Sequence, residues 1–168
     1  AEFLQEGDRN EDFAGFILLV NGEPIFCKGA NWVPCEPFPS EAGAERYREL
    51  LELAAQAHMN MLRVWGGGIV EKDAFYEICD RLGILVIQDF QMACAVYPEE
   101  REDFLDVLRL EATYAVKRLR NHPCLAWWNG DNEISAAGML EEEGYPGRIA
   151  SLMAIAPVIR AHDPYRRF

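Results

Sequence analysis

One stretch decides the fold of this chain, and it runs Leu125-Ala126-Trp127-Trp128-Asn129-Gly130-Asp131-Asn132-Glu133. The apolar run from Cys124 to Trp128 predicts a buried strand of the kind found in parallel sheets. The strand is predicted to end at the turn signal Asn129-Gly130, with Asp131, Asn132 and Glu133 just beyond it. In α/β folds the chemistry is carried out at the carboxyl ends of parallel strands. The stretch therefore predicts one strand of a parallel sheet with a candidate site at its end.

The polar residues after this strand allow two interpretations on local grounds. A carboxylate held beside large aromatic side chains can keep its proton near neutral pH, which would make Glu133 a general acid. Alternatively, Asn and Glu are common where a helix begins, because they stabilise its first turn. The rest of the chain is needed to decide between catalysis and helix capping.

Strand and helix patterns alternate along the rest of the chain. Apolar runs predict strands at 16–20, 25–30, 61–65 and 84–87, and Asn21-Gly22 predicts a hairpin turn. Helical periodicity predicts helices over 41–58, 71–82, 99–120 and 148–161, with Ser40 as an N-cap, Gly83 as a C-cap and an interruption at Pro157. The alternation predicts the α/β class, with a parallel sheet flanked by helices. Residues 1–15 are acidic and polar and are interpreted as a lead-in segment rather than a domain.

Composition excludes several classes of partner. The net charge of −12 argues against nucleic acid and against an anionic membrane surface. The cysteines and histidines are widely spaced and form no C-x-x-C pair, so we expect no metal site and no other cofactor. The balance of apolar and charged residues is that of a soluble globular protein, and no apolar run is long enough to span a membrane. Nothing identifies the compartment, although a bacterial source would favour the cytoplasm or the periplasm.

The residues just beyond the predicted strands are of the kinds that bind sugars. They comprise amides, indoles, a guanidinium and carboxylates, namely Asn31, Trp32, Arg63, Trp65, Gln88, Asp89, Asn132 and Glu133. Indole faces stack on sugar C–H groups, while amides and carboxylates bind hydroxyls. Taken alone, Trp32 and Trp65 are better explained by core packing. Arg63 at the end of an apolar strand needs a partner, and we expect an acidic residue in a shared pocket. Three consecutive glycines, 66–68, match no phosphate-binding motif and are interpreted as room for the backbone beside a ligand.

Several motifs together resemble the catalytic barrel of glycoside hydrolase family 2. They are Arg63-Val64-Trp65-Gly66-Gly67-Gly68-Ile69 and Leu82-Gly83-Ile84-Leu85-Val86. Three further motifs resemble the β-mannosidase branch of that family: Gln88-Asp89-Phe90, Ala93-Cys94-Ala95, and Leu119-Arg120-Asn121-His122-Pro123 leading to Asn132-Glu133. The resemblance covers about residues 16–165, nearly the whole chain.

The resemblance implies both a fold and an activity. Residues 16–168 would form the N-terminal half of a (β/α)8 TIM barrel, about strands 1–4 with helices 1–4, since a complete barrel takes about 250 residues. The implied activity is a retaining glycosidase that removes terminal β-D-mannose, with Glu133 as general acid/base and Asn132 holding the 2-hydroxyl. Trp65, Arg63 and Asp89 match positions that line the sugar subsite, and Asn31 and Trp32 complete the candidate substrate-binding set. The family's nucleophile follows a seventh strand, so we expect the isolated chain to be inactive.

The exact sugar and the assembly state remain open at this point. Val70, Ile87 and Asp131 depart from the family's usual residues, so a β-galactosidase or β-glucuronidase type of the same family is an alternative. A non-catalytic half-barrel that binds sugar or associates with itself is another. Half a barrel would leave two open sheet edges and an apolar face, and we therefore expect a homodimer or a second half-barrel as the partner.

Overall fold

The computed structural model describes residues 2–4, 17–134 and 149–168. A small antiparallel sheet comes first, built from β1 (Glu2–Leu4), β2 (Ile17–Val20) and β3 (Glu23–Ile25). β2 and β3 form the predicted hairpin, and its turn residue Asn21 has a φ of 53°. Part of the predicted lead-in is β1, which pairs with β2, while residues 5–15 lie outside the described residues.

A parallel sheet of four strands follows, in the order β4 (Gly29–Trp32), β5 (Met61–Val64), β6 (Leu85–Asp89) and β7 (Leu125–Asn129). Helices follow the strands: α1 (Ala44–Gln56), α2 (Asp73–Leu82), α3 (Glu102–Leu119), and a π-helical segment (Ile149–Ile155) that continues into α4 (Ala156–His162). The predicted α/β class is confirmed. Four parallel strands in chain order form part of a barrel, and within the described residues the sheet does not close.

The strand predicted at 25–30 is two elements that belong to different sheets. β3 ends at Ile25 and β4 begins at Gly29. Asn60 holds the connection, because its Oδ1 accepts the Lys28 N–H at 2.7 Å and its Nδ2 donates to the Phe26 carbonyl at 2.9 Å. These bonds redirect the chain from the hairpin into the parallel sheet. A partner so distant in sequence gives no local signal, and the prediction of one strand was wrong for that reason.

The first helix begins later than the sequence predicts. Ser40 lies in a 3-10 turn (Pro39–Glu41) and does not cap α1. Lys72 accounts for the difference, since its Nζ donates to the carbonyls of Ser40 at 3.0 Å and Ala42 at 2.6 Å. Both carbonyls are thereby bound from outside the helix, and the segment stays a separate turn.

Two other predicted helix signals are confirmed. Gly83 ends α2 in the left-handed conformation, with φ of 70°, and its N–H binds the Cys79 carbonyl. Pro157 lies in the first turn of α4, where the π-helical segment gives way to the α-helix. The missing N–H of proline is tolerated in a first turn, so the helix restarts there.

The two faces of the parallel sheet carry different side chains because successive residues of a strand point to opposite sides. One face packs against the helices and forms the main core, with Leu62, Val64, Val86 and Trp128 against Phe75, Ile78, Leu108 and Leu119. The other face, here called the open face, carries a small apolar cluster in which Leu18 of the hairpin meets Met61 and Ala126. Polar side chains occupy the open face at the carboxyl ends of the strands.

One of the two sheet edges that we expected to be open is partly occupied. The Trp128 N–H donates to the Arg167 carbonyl at 3.0 Å, and Arg167 forms a parallel bridge with Trp127. The C-terminal segment therefore pairs with the outer edge of β7. Within the described residues, no helix has the length and apolar character needed to cross a bilayer.

Candidate active site

Four polar side chains meet at the carboxyl end of the parallel sheet. Asn31 lies on β4, Arg63 on β5 and Asp89 at the end of β6, while Asn132 follows β7. Asn31 and Arg63 are paired across the two strands, so both side chains point to the open face. Hydrogen bonds join all four side chains into one network.

Asp89 is the centre of this network. Its side chain is fully buried, and its carboxylate accepts four hydrogen bonds. Arg63 supplies two of them, Nε to Oδ1 at 3.0 Å and Nη2 to Oδ2 at 2.6 Å. The Gly66 N–H donates to Oδ2 at 3.0 Å, and Asn129 Nδ2 donates to Oδ1 at 2.9 Å. The prediction that Arg63 pairs with an acidic residue is confirmed. A carboxylate offers about four lone-pair positions, so Asp89 has none left for a sugar hydroxyl.

The Arg63 guanidinium connects Asp89 to both amides. Nη2 also donates to Asn132 Oδ1 at 2.9 Å, and Nη1 donates to Asn31 Oδ1 at 3.4 Å. Because the guanidinium is planar and its donors have a fixed geometry, binding to Asp89 at two points sets the direction of the remaining N–H groups. The orientation of the Asn132 amide follows, with Oδ1 toward Arg63 and Nδ2 away from it.

Backbone contacts fix Asn132 to the loop that follows β6. Ala93 and Asn132 form a parallel bridge, the Asn132 N–H donates to the Met92 carbonyl at 2.9 Å, and the Cys94 N–H donates to the Asn132 carbonyl at 2.9 Å. The loops after β6 and β7 are thereby joined at the position of the candidate site.

Gly66 provides space for this loop. A Cβ placed on Gly66 would lie 2.6 Å from the Met92 carbonyl oxygen and 2.8 Å from that of Phe90. Both obstacles are backbone atoms, so no side-chain rotation would relieve the overlap. The sequence-based interpretation of this glycine as space beside a ligand is therefore corrected, because the space is filled by the chain's own backbone.

Glu133 is exposed and lies on the far side of Asn132 from Arg63. Its φ is 58°, a left-handed conformation that is uncommon for a residue with a side chain. Cys94 is in contact with both residues: Asn132 Nδ2 donates to Cys94 Sγ at 3.3 Å, and the thiol donates to Glu133 Oε2 at 3.6 Å.

The capping contact expected at the start of a helix is made by the neighbouring residue Asp131. Asp131 Oδ1 accepts the Ile134 N–H at 3.2 Å, which is the bond expected of a capping side chain, and its Oδ2 accepts from Ser151 Oγ at 2.7 Å. Asn132 is engaged instead by Arg63 and Cys94. Asp131, and not Asn132 or Glu133, therefore makes the capping contact, and the catalytic role of Glu133 stays a prediction.

The two tryptophans before the site point in opposite directions. Trp127 lies on the open face, and its Nε1 donates to Asn129 Oδ1 at 3.2 Å. Trp128 is fully buried against the helices, where its Nε1 donates to Asp163 Oδ2 at 2.9 Å. The expectation that large aromatics enclose Glu133 is therefore not met by Trp128.

Trp32 does not reach the network. It is buried on the helix side of β4, its Nε1 donates to Glu71 Oε1 at 2.9 Å, and its ring lies 4.7 Å from that of Phe75. This position is a correction to the candidate substrate-binding set, and core packing accounts for the residue. Trp65 is half-buried with its ring over Gly67, and the described residues show no hydrogen bond between Trp65 and the network.

Sequence reasoning missed two members of the site. Asn129 was assigned to a turn, but β7 extends through it, and alternation then places its side chain beside that of Trp127 on the open face. A strand prediction longer by one residue would have found it. Cys94 arrives through an irregular loop, and no periodic pattern indicates its position.

Asp80, His122 and Cys124 are the described residues that could together hold a metal, with ligand atoms within 4.8 Å of one another. They already bind each other, because Asp80 Oδ2 lies 2.6 Å from His122 Nδ1 and Oδ1 accepts the Cys124 N–H at 2.8 Å. Burial also raises the pKa of the Cys124 thiol, which opposes the thiolate form that binds a metal. Through these hydrogen bonds, Asp80 of α2 holds the turn before β7 in place.

Comparison with known proteins gives β-mannosidases among the similar sequences and among the similar solved structures. No protein-family model matches the chain. The β-mannosidase of Capra hircus is 48% identical over 139 residues, which is 83% of this chain and 16% of the relative. The solved structure of β-D-mannosidase from Dictyoglomus thermophilum matches with a TM-score of 0.88 and 42% identity, over 98% of this chain and 21% of that one. The chain thus spans less than a quarter of the length of these two proteins.

A more distant likeness concerns the fold alone. The structure of Bacteroides uniformis β-glucuronidase 2 matches with a TM-score of 0.71 at 21% identity, over 90% of this chain and 18% of that one. The β-mannosidase matches are closer in both sequence and structure. By sequence and by fold, the chain is therefore similar to part of the β-mannosidases, and its parallel sheet with flanking helices matches part of a TIM barrel.

Proposed function

We propose that this chain supplies the acid/base half of a retaining β-mannosidase active site, which hydrolyses terminal β-D-mannose residues of oligosaccharides. The observation that carries the proposal is the hydrogen-bonded series from Asp89 through Arg63 to Asn132, which ends beside the exposed carboxylate of Glu133. The names of the goat and Dictyoglomus thermophilum relatives support the choice of mannose.

Glu133 is the proposed general acid/base. Its side chain is exposed in the loop after β7, so a glycosidic oxygen can approach it. In the first step its proton goes to that oxygen as the glycosidic bond breaks and the nucleophile, from outside this chain, bonds to the anomeric carbon of mannose. In the second step the resulting carboxylate takes a proton from the water that releases mannose.

Asn132 is the proposed ligand of the 2-hydroxyl. Its Oδ1 is occupied by Arg63, and one of the two Nδ2 hydrogens is directed to Cys94. An amide nitrogen has two donors, and among the described residues the second Nδ2 hydrogen has no partner, which leaves it for a sugar oxygen. A hydrogen bond to the 2-hydroxyl strengthens as the transition state forms and so contributes to the rate.

Arg63, Asn31 and Trp65 complete the proposed sugar pocket. Arg63 and Asn31 present polar groups to the open face, and the half-buried Trp65 offers an indole surface for sugar C–H groups. Asp89 has a different role, because its four acceptor positions are filled by protein donors. We infer that it orients Arg63 and does not bind the sugar itself.

The nucleophile is proposed to come from outside this chain. A retaining mechanism needs a second carboxyl group about 5–5.5 Å from the acid/base. Of the two aspartates near Asn132, Asp89 has its four acceptor positions filled, and Asp131 binds Ser151 Oγ and the Ile134 N–H. Neither carboxylate is free to attack a sugar.

A chimeric enzyme tests the proposal. Residues 17–168 would replace the matching segment of the Dictyoglomus thermophilum β-mannosidase, with which they share 42% identity. We expect the chimera to hydrolyse 4-nitrophenyl β-mannoside faster than the corresponding β-galactoside and β-glucuronide. Glu133→Gln should lower the rate by about 10²–10⁴-fold, the usual contribution of a general acid/base.

The matched control is Glu77→Gln, which neutralises an exposed carboxylate on α2 and should leave the rate unchanged. Faster hydrolysis of the galactoside or the glucuronide would show that the proposed sugar is wrong. A Glu133→Gln chimera that is folded, by circular dichroism, and fully active would remove Glu133 from the mechanism.

A further inference from the structure

We propose that Cys94 is a positioning residue that holds the Asn132 amide and the Glu133 carboxylate in place for the reaction. The inference rests on the proposed function of those two residues. The Cys94 thiol lies between them, 3.3 Å from Asn132 Nδ2 and 3.6 Å from Glu133 Oε2. Neither strand periodicity nor the core explains this cysteine, because it is exposed at the end of the sheet.

The hydrogen bonds through Cys94 all run in one direction. Arg63, held by Asp89, donates to Asn132, the Asn132 amide donates to the sulfur, and the thiol donates to Glu133. Among the described residues, the Cys94 thiol is the hydrogen-bond donor to the Glu133 carboxylate. Cys94 is therefore the link by which the buried ion pair orients an exposed carboxylate.

The backbone at both ends of this link is held in an uncommon conformation. Cys94 has a φ of 48° and Glu133 a φ of 58°, and left-handed conformations cost energy in residues other than glycine. The surrounding bonds maintain them, since the Cys94 N–H donates to the Asn132 carbonyl and the Ala93 N–H donates to Tyr97 Oη at 3.0 Å. Two such residues in contact, from loops after different strands, indicate that the geometry of the thiol is fixed by the fold.

Sulfur is suited to this position for a chemical reason. A thiol is a weak donor and a weak acceptor, whereas a hydroxyl is stronger in both roles. An acid/base gives up a proton in one step and takes one up in the other, and a strong hydrogen-bond donor beside it would favour the ionised form throughout. The thiol orients Glu133 with little bias between its two forms.

The reactivity of Cys94 in the 168-residue chain tests the contact with Glu133. Iodoacetamide alkylation at one neutral pH would be followed at each cysteine by peptide mass. We expect Glu133→Gln to increase the rate at Cys94 by about three- to tenfold, because the thiol loses the carboxylate that accepts its hydrogen bond. Glu111→Gln, an exposed carboxylate on α3, should leave Cys94 unchanged, and exposed Cys27 is the internal reference.

An unchanged rate at Cys94 in Glu133→Gln would overturn the proposal. Because this variant keeps the cysteine and alters an exposed side chain, its folding is not at issue. The readout also does not depend on glycosidase activity, so an inactive chimera would contradict the proposed function and leave the alkylation result to decide on Cys94.

The contact with Asn132 is tested by its side-chain amide signals in nuclear magnetic resonance spectra of the same chain. Cys94→Ala removes the acceptor and should speed the exchange of the Nδ2 hydrogens with water severalfold. Cys94→Ser keeps an acceptor at that position and should restore slow exchange at least in part. Equal exchange rates in the unmodified chain and in Cys94→Ala would contradict a positioning role.

Discussion

Arg63 and Asp89 form a two-point ion pair between adjacent strands, with Nε to Oδ1 at 3.0 Å and Nη2 to Oδ2 at 2.6 Å. The Asp89 side chain is fully buried, whereas the Arg63 side chain is 26% exposed and reaches the open face. A guanidinium bound in this way has a fixed orientation. The pair therefore connects the packing of the sheet to the direction of the Asn132 amide.

The first prediction concerns the loss of this pair. Asp89→Asn should destabilise the chain toward the lower end of the range of about 3–5 kcal/mol for breaking a buried pair, because Arg63 keeps partial access to water. Urea unfolding followed by circular dichroism would measure the change. The Asn132 side-chain amide signals should also shift, since Arg63 would lose its anchor.

The control for Asp89→Asn is Asp103→Asn, which breaks an exposed ion pair with Arg101. Surface pairs of this kind contribute little to stability, so its unfolding midpoint should match that of the unmodified chain. An Asp89→Asn variant as stable as this control would show that the ion pair does not anchor the site.

The second prediction concerns the backbone packing at Gly66. Gly66→Ala should destabilise the chain by about 3 kcal/mol, the upper end of the range for overpacking, because its Cβ meets the carbonyls of Met92 and Phe90. Gly43→Ala is the matched control, since a Cβ there meets nothing within 4 Å. It should cost at most about 1 kcal/mol, through the change of the N-cap of α1. Equal unfolding midpoints for the two variants would contradict the packing argument.

The fold was largely predictable because its signals are periodic and local. Apolar runs such as Ile84–Ile87 and the left-handed Gly83 are encoded in neighbouring residues, and the structure agrees with both. The splitting of residues 25–30 was not predictable in this way, because it depends on hydrogen bonds from Asn60, which lies just before β5. Local sequence predicts the type of secondary structure, whereas contacts with residues distant in sequence determine where a strand ends.

The candidate site was predictable to the extent that strand alternation controls it. Arg63 and Asp89 lie on regular strands, and their proximity follows from the order of the sheet. The same alternation excludes Trp32 from the site, because its neighbour Asn31 points to the open face and Trp32 therefore points to the helices. The position of Cys94 depends on backbone hydrogen bonds between the loops after β6 and β7. Sequence periodicity does not predict a contact between two irregular loops.

The third prediction is a pH dependence that comes from Asp80. Burial raises the pKa of this carboxyl, but hydrogen bonds from His122 and from the Cys124 N–H outweigh burial, and the net pKa lies below its usual value. A pKa lower in the folded than in the unfolded chain, where it is about 3.9, contributes stability above that pH. The contribution is lost as the pH falls through the lower, folded-state value.

Asp80→Asn should therefore lower the unfolding midpoint most at neutral pH, and its difference from the unmodified chain should shrink below about pH 4. Urea unfolding at several pH values would measure this. Glu77→Gln, an exposed change on the same helix, should show no such pattern. A constant difference between Asp80→Asn and the unmodified chain at every pH would rule out the charge of Asp80 as the cause.

The fourth prediction concerns assembly. The outer edge of β4 has no partner strand among the described residues, and the open face carries Met61, Leu85 and Ile87. We expect the chain to self-associate through this face, most simply as a dimer. Sedimentation velocity of the chain at tens of micromolar measures the association.

Substitutions on the two sides of the sheet distinguish this face from the rest of the surface. Ile87→Lys should favour the monomer, because it places a charge on the open face. Val107→Lys, on the exposed side of α3, should leave the association unchanged. A stable monomer that binds no apolar dye would contradict the prediction of self-association.

The last prediction is that the isolated chain does not hydrolyse β-mannosides at the rate of an enzyme. Asp131 is the carboxylate nearest in sequence to Glu133 and lies on the same loop, where it binds Ser151 Oγ and the Ile134 N–H, whereas attack must come from the opposite face of the sugar. Asp89 is buried with every acceptor position filled. Without an aligned nucleophile the chain forgoes about 7–11 kcal/mol that positioning can supply. The measurement is incubation with 4-nitrophenyl β-mannoside beside the Glu133→Gln variant. Turnover at about 1 s⁻¹ or faster, absent from the variant, would place a nucleophile within this chain or in a second copy of it.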